Sequence, residues 1–192
     1  MNDAHLHMVV NHFPIIGTIL GLGILITGII LKNNTVKSTA YVLFIVAAVF
    51  AAFSMGTGEG AEELVEEMPT VGKQIIHEHE EIAEKFAVVL YLLGVISLGG
   101  LFLNYIKHAK AKLISYAAIL IAVVGVFLAK ETGTSGGEIR HTEIRKDFKA
   151  IIKIGIMAKT KTIYTGENVT GFINSYVDNE LKKAESFRLI EL

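Results

Sequence analysis

Four long apolar runs divide this 192-residue chain, and no other feature limits its fold as strongly. Val9 to Leu31, Thr39 to Met55, Phe86 to Ile106 and Leu113 to Ala129 contain no Asp, Glu, Lys or Arg. A helix needs about 20 predominantly apolar residues, in a range of roughly 17–25, to cross the hydrocarbon core of a bilayer. The predicted class is therefore an all-α membrane protein with four transmembrane helices. Charged residues make up 19% of the chain, below the roughly 25% usual in soluble domains. The first run does not read as a signal peptide, because no Lys or Arg precedes it and no small-residue cleavage site follows.

The linkers predict an orientation. Lys32 to Lys37 joins the first two runs and Lys107 to Lys112 joins the last two; both are short, basic and free of Asp and Glu. The longer loop from Thr57 to Lys85 holds nine glutamates and only Lys73 and Lys85 as basic residues. The positive-inside rule puts the two lysine loops in the cytoplasm and the acidic loop outside. An even number of spans leaves the N-terminus and the tail outside too. The basic tail after Lys130 pulls mildly the other way, but long segments weigh little in that rule.

Composition removes several chemistries. The chain has no cysteine, which excludes disulfides, thiolate metal sites, iron–sulfur clusters, covalent c-type haem attachment and cysteine nucleophiles. A net charge of −1 gives no reason to expect a nucleic-acid partner. No spacing signals the nucleophile–base pair of a hydrolase. Any cofactor must be held by His, Met, carboxylates or backbone.

Six of the seven histidines fall on the predicted outer side, and only His108 lies in a lysine loop. His5-Leu-His7-Met-Val-Val-Asn11-His12-Phe-Pro14 opens the first span; in a helix from Asp3, His5, Met8 and His12 share a face. Pro14 either kinks that helix or marks the first turn of one capped by Asn11. His77-Glu78-His79-Glu80-Glu81 precedes the third span, where carboxylates beside imidazoles can orient a ring nitrogen for ligation. The plainer alternatives are interfacial polar residues at the first site and acidic residues suited to a helix start at the second. Thr132-Gly-Thr-Ser-Gly-Gly137-Glu-Ile-Arg140-His141 follows the fourth span, and its glycines allow the backbone to leave the helix there.

Spans one–two and three–four read as one unit written twice: a histidine cluster, a span, a short basic loop, a second span and a Gly-rich acidic exit. The expected architecture is two parallel helical-hairpin repeats about an axis along the membrane normal. His12 and His79 would take quasi-equivalent positions, the arrangement a bis-histidine haem requires.

The motifs His7, Asn11-His12-Phe-Pro14, His79-Glu-Glu-Ile-Ala83 and Gly136-Gly137-Glu-Ile-Arg140-His141 resemble a family of uncharacterised bacterial four-helix membrane proteins. Members of that family often occur beside or fused to c-type cytochromes, and the details look most like Bacteroidetes members. The resemblance covers residues 1–145, about three quarters of the chain, and implies a cytochrome b-like redox role. The expected location is a bacterial inner (cytoplasmic) membrane, and the lysine loops put the N-terminus and histidine cluster on its extracytoplasmic side. Residues 146–192 lie outside the resemblance and are expected to form a small C-terminal appendage or tail. Within them, 152–163 alternates like a strand and 169–184 reads as a short amphipathic helix.

The leading expectation is a membrane-integral haem b protein that transfers electrons from a quinol or membrane partner to an extracytoplasmic acceptor. His12 and His79 are its axial pair, His141 or His7 the alternative ligand, and Arg140 a propionate partner. The competing expectation is a non-haem Zn, Cu or Fe site built from His5, His7, His12, His77, His79 and His141 with Glu59 or Glu81. A third is a structural or assembly subunit. Candidate partners are membrane lipid, a c-type cytochrome or other redox partner, and a second copy of the chain.

Overall fold

The computed structural model describes residues 2–66 and 71–145. Contacts divide the chain into two units, Met1–Arg140 and His141–Leu192. Regular structure among the described residues is entirely helical. The first unit contains α1 (Asp3–Val10), α2 (His12–Ile30), α3 (Asn34–Glu66), α4 (Lys73–Tyr105) and α5 (Ala111–Arg140). Of the second unit only a single 3-10 turn, Thr142–Ile144, is described. The strand and helix expected within 152–163 and 169–184 lie outside the described residues.

Four helical stretches are long and apolar enough to cross a membrane: Asp3–Ile30, Asn34–Glu66, Lys73–Tyr105 and Ala111–Arg140. They form an up-and-down bundle in which α2 and α4 each pack against both α3 and α5, while α1 lies mainly against α3. Small residues make up much of the interior, around the larger Leu25, Tyr41, Phe44, Phe86, Leu90 and Leu93. Ala40, Ala47, Ala51, Ala87, Ala118, Ala122 and Ala129 are buried, and so are Gly21, Gly28, Gly94, Gly100 and Gly125. Other large apolar side chains face outward, with Leu120 70% and Phe127 69% exposed. A water-soluble bundle would bury such residues; small residues inside and bulky ones outside suit helices packing within lipid.

Two glycines let large rings into that interior. A Cβ on Gly21 would come 2.5 Å from the Phe44 ring, and one on Gly100 would come 2.5 Å from that of Tyr41. The Tyr41 hydroxyl also meets Ser115 Oγ at 2.9 Å, joining α3 to α5 across the core.

The two lysine turns close alike. The N–H of Asn33 donates to the Gly28 carbonyl and that of His108 to the Leu103 carbonyl, each five residues back. This six-to-one closure needs a left-handed residue before it, and Lys32 (φ 50°) and Lys107 (φ 53°) supply it. Asn33 Oδ1 then caps α3 by accepting from the N–H groups of Thr35 and Val36.

Two boundaries differ from the sequence expectation. The acidic stretch Thr57 to Lys85 is mostly helix, since α3 runs to Glu66 and α4 starts at Lys73. The Gly-rich stretch after the fourth span likewise stays helical to Arg140. Pro14 sits in the first turn of α2, and the helix breaks at Asn11; with no N–H, proline leaves the Val10 carbonyl without its usual helical partner. Asn11 makes no side-chain cap bond there.

Candidate functional site

The glycine- and hydroxyl-rich ends of α3 and α5 each receive one histidine. His7 on α1 directs Nδ1 at the Ser54 carbonyl (3.1 Å) and at Thr57 Oγ1 (3.2 Å). His79 on α4 directs Nδ1 at Ser135 Oγ (2.9 Å) and also bonds the backbone of Thr132. Each hydroxyl also has carbonyls of its own helix to donate to: Thr57 those of Phe53 (3.0 Å) and Ser54 (3.1 Å), Ser135 that of Thr132 (3.2 Å). Ser and Thr commonly make such backbone bonds within a helix.

The Ser54 carbonyl only accepts, so Nδ1 of neutral His7 carries the proton and its Nε2 is unprotonated. Ser135 Oγ can donate or accept; with its own proton directed to the Thr132 carbonyl it accepts from His79 Nδ1, and neutral His79 then has the same tautomer. A ligating histidine usually donates its other ring N–H in just this way, to a carbonyl, carboxylate or water.

A glycine stands beside each ring. A Cβ on Gly136 would lie 3.0 Å from His79 Cε1, and one on Gly58 would lie 3.9 Å from His7 Cε1. Both rings are partly buried, and His7 is near enough to His79 for its charge to act on it. Two oxygens close in sequence to these residues are buried without a hydrogen-bond partner among the described residues, Asn11 Oδ1 and Thr132 Oγ1. Asn11 follows His7 by one helical turn, and Thr132 belongs to the bracket that holds His79.

The other expected ligands of the first unit lie elsewhere. His12 is exposed, with Nδ1 donating to the Met8 carbonyl at 2.7 Å. His5 is exposed. His77 is exposed and faces Glu80 (3.8 Å) and Glu81 (3.4 Å), so two of the neighbouring glutamates serve His77. Glu81 also pairs with Lys85 at 3.3 Å. Glu59 and Arg140 are exposed. His141 belongs to the second unit, where its ring meets Glu143 Oε1 at 2.9 Å. The Glu143 carboxyl is held below its ordinary range by its own backbone N–H and by His141. Among the described residues no three His, Cys, Asp or Glu side chains form a group that could hold a metal ion.

Sequence reasoning picked out His7 and His79 but missed Ser54, Thr57, Thr132 and Ser135, which orient them. A signal was present: Ser54-x-x-Thr57-Gly58 and Thr132-x-x-Ser135-Gly136 share a spacing, as do His5-x-His7 and His77-x-His79. Comparison with family models, with curated proteins and with solved structures finds no match to this chain.

Proposed function

We propose that this chain is a bacterial inner-membrane electron-transfer protein that binds haem b through His7 and His79 near its extracytoplasmic end. The observation that carries the reading is the matched pair of imidazoles, each with Nδ1 bonded to the neighbouring helix, which leaves Nε2 as the nitrogen to ligate. A haem iron needs only two axial ligands from the protein, because the macrocycle supplies the rest. A structural zinc site needs four protein ligands and a catalytic one three, more than the two imidazoles gathered here. His7 replaces His12 as the partner of His79, because His12 is exposed and turned toward its own helix.

A two-hairpin repeat supports the pairing. His5 and His7 match His77 and His79 at a step of 72 residues. The same step carries every buried position of α2 (Pro14, Thr18, Gly21, Leu25 and Gly28) onto a buried position of α4. From α3 to α5 the step is 78, and it carries Ala40, Phe44, Ala47 and Ala51 onto buried residues. It also carries Ser54, Thr57 and Gly58 onto Thr132, Ser135 and Gly136. Each hairpin then offers one imidazole to a shared axis.

When bound, haem supplies one-electron chemistry. The chain's own part is to hold both rings in one tautomer, to exclude bulk water partly, and to give small residues where a flat ligand must approach. The bare oxygens of Asn11 and Thr132 are available to a polar edge of the ligand. Those two oxygens also favour a second reading, a copper, iron or zinc ion on the same two imidazoles. An absorption spectrum and metal analysis of protein purified from membranes separate the two: a Soret band supports haem, and a stoichiometric colourless or weakly coloured metal supports the alternative.

A further inference from the structure

We propose that the bundle end carrying the lysine turns binds an anionic phospholipid through a glycerol-phosphate headgroup, in a cavity between the start of α3 and the end of α4. The cavity is a shallow one, open to the surface, of about 460 Å³, lined by Asn34, Thr35 and Ser38 on one side and Leu101, Asn104 and Tyr105 on the other. Neither His7 nor His79 takes part, so the proposal stands apart from the haem reading.

Asn104 is the informative residue. It is only 7% exposed, its Nδ2 donates to Ser38 Oγ at 3.3 Å, and its Oδ1 has no partner among the described residues. A buried amide oxygen left unpaired is costly, so native structures almost always give it a donor. Asn104 also lines the cavity, so an occupant with an O–H is the donor assigned to it here.

Charge narrows the choice. The two turns that flank this end bring Lys32, Lys37, Lys107, Lys110 and Lys112 and no acidic residue. Basic pockets between transmembrane helices favour anionic headgroups. The first turn of α3 is already capped by Asn33, so the attraction for phosphate comes from lysine. A choline headgroup has no donor for Asn104, and an ethanolamine ammonium is repelled by the lysines. Phosphatidic acid has the charge, but its one O–H is on the phosphate monoester, and the lysine ammoniums favour loss of that proton. A glycerol phosphodiester supplies both the anion and the O–H donor, while Leu101 and the 86% exposed Tyr105 offer apolar surface to the acyl region.

The test uses the full chain, delipidated and then given phosphatidylglycerol, phosphatidic acid or phosphatidylcholine, with retained lipid counted by native mass spectrometry. Wild type should retain phosphatidylglycerol best, phosphatidic acid less and phosphatidylcholine least. Asn104→Leu should lower phosphatidylglycerol retention about three- to tenfold, the effect of one hydrogen bond, and leave phosphatidic acid unchanged. Lys107→Gln should weaken both anionic lipids. Should Asn104→Leu not fold, the wild-type melting temperature decides: phosphatidylglycerol must raise it more than phosphatidic acid does. Equal retention or equal stabilisation by those two lipids, or an Asn104→Leu variant that keeps its phosphatidylglycerol, would overturn the proposal.

Discussion

His7 and His79 each direct Nδ1 at a hydroxyl on the neighbouring helix, Thr57 on α3 and Ser135 on α5, and each also bonds the backbone three residues before that hydroxyl, at Ser54 and Thr132. The first consequence concerns those hydroxyls. Ser135→Ala removes the hydroxyl 2.9 Å from His79, and Thr57→Ala the one 3.2 Å from His7, each ring keeping its backbone partner. Each change should therefore weaken cofactor retention by about three- to tenfold, the effect of one lost hydrogen bond. Equal retention in the wild type and both variants, measured by titration of the purified protein, would show that the brackets do not orient a ligand.

Acidification should release the cofactor. Ligation requires an unprotonated Nε2, so protons compete with the metal at both rings. Glu80→Gln and Glu81→Gln should leave the release midpoint in place, because those carboxylates face His77. A spectroscopic pH titration of wild type and the double variant checks this, and a shifted midpoint would return the glutamates to the site.

Close packing around two glycines predicts a sharp contrast among alanine variants. Gly21→Ala and Gly100→Ala drive a methyl into the Phe44 and Tyr41 rings and should each cost about 1–3 kcal/mol, the usual penalty of overpacking. Gly23→Ala meets nothing within 4 Å, and a helical glycine replaced by alanine gains up to about 1 kcal/mol. Unfolding in mixed detergent micelles should thus rank Gly23→Ala at or above wild type and the other two well below it.

The lysine turns carry a conformational cost that glycine would remove. Left-handed backbone costs a non-glycine residue roughly 1–2 kcal/mol, partly offset by the entropy glycine loses on folding. Lys32→Gly and Lys107→Gly should each stabilise the bundle by up to about 1 kcal/mol, whereas the β-branched Lys107→Val should destabilise it. The same unfolding assay reads the sign.

Orientation is testable by reporter insertion. A reporter active only in the cytoplasm should work between Lys107 and Lys112 and fail at Thr70. The reverse pattern would place the His7–His79 end in the cytoplasm and remove an extracytoplasmic acceptor from the proposal.

The spans were legible because a run such as Val9 to Leu31, without an ionised side chain, has few other fates. The helix ends were not. Polar, glycine-containing sequence such as Thr132 to Arg140 resembles a loop by propensity, yet it stays helical where Ser135 and Gly136 lie against His79. The same effect hid the site. On spacing alone His12 looked equivalent to His79, because both stand near the start of an apolar run. Only side-chain direction separates them: His12 turns back to the Met8 carbonyl of its own chain segment, and His7 reaches across to α3. The 72-residue step from His7 to His79 was readable in the sequence, but it gains force from the burial pattern it also carries.

The most direct test of the central claim is the dithionite-reduced absorption spectrum of protein purified from membranes of cells supplied with haem precursor, compared with His7→Ala, His79→Ala and His12→Ala. The account predicts the spectrum of a six-coordinate haem in wild type and His12→Ala, and its loss in His7→Ala and His79→Ala. A colourless wild type, or a spectrum that survives both the His7 and His79 changes, would contradict it.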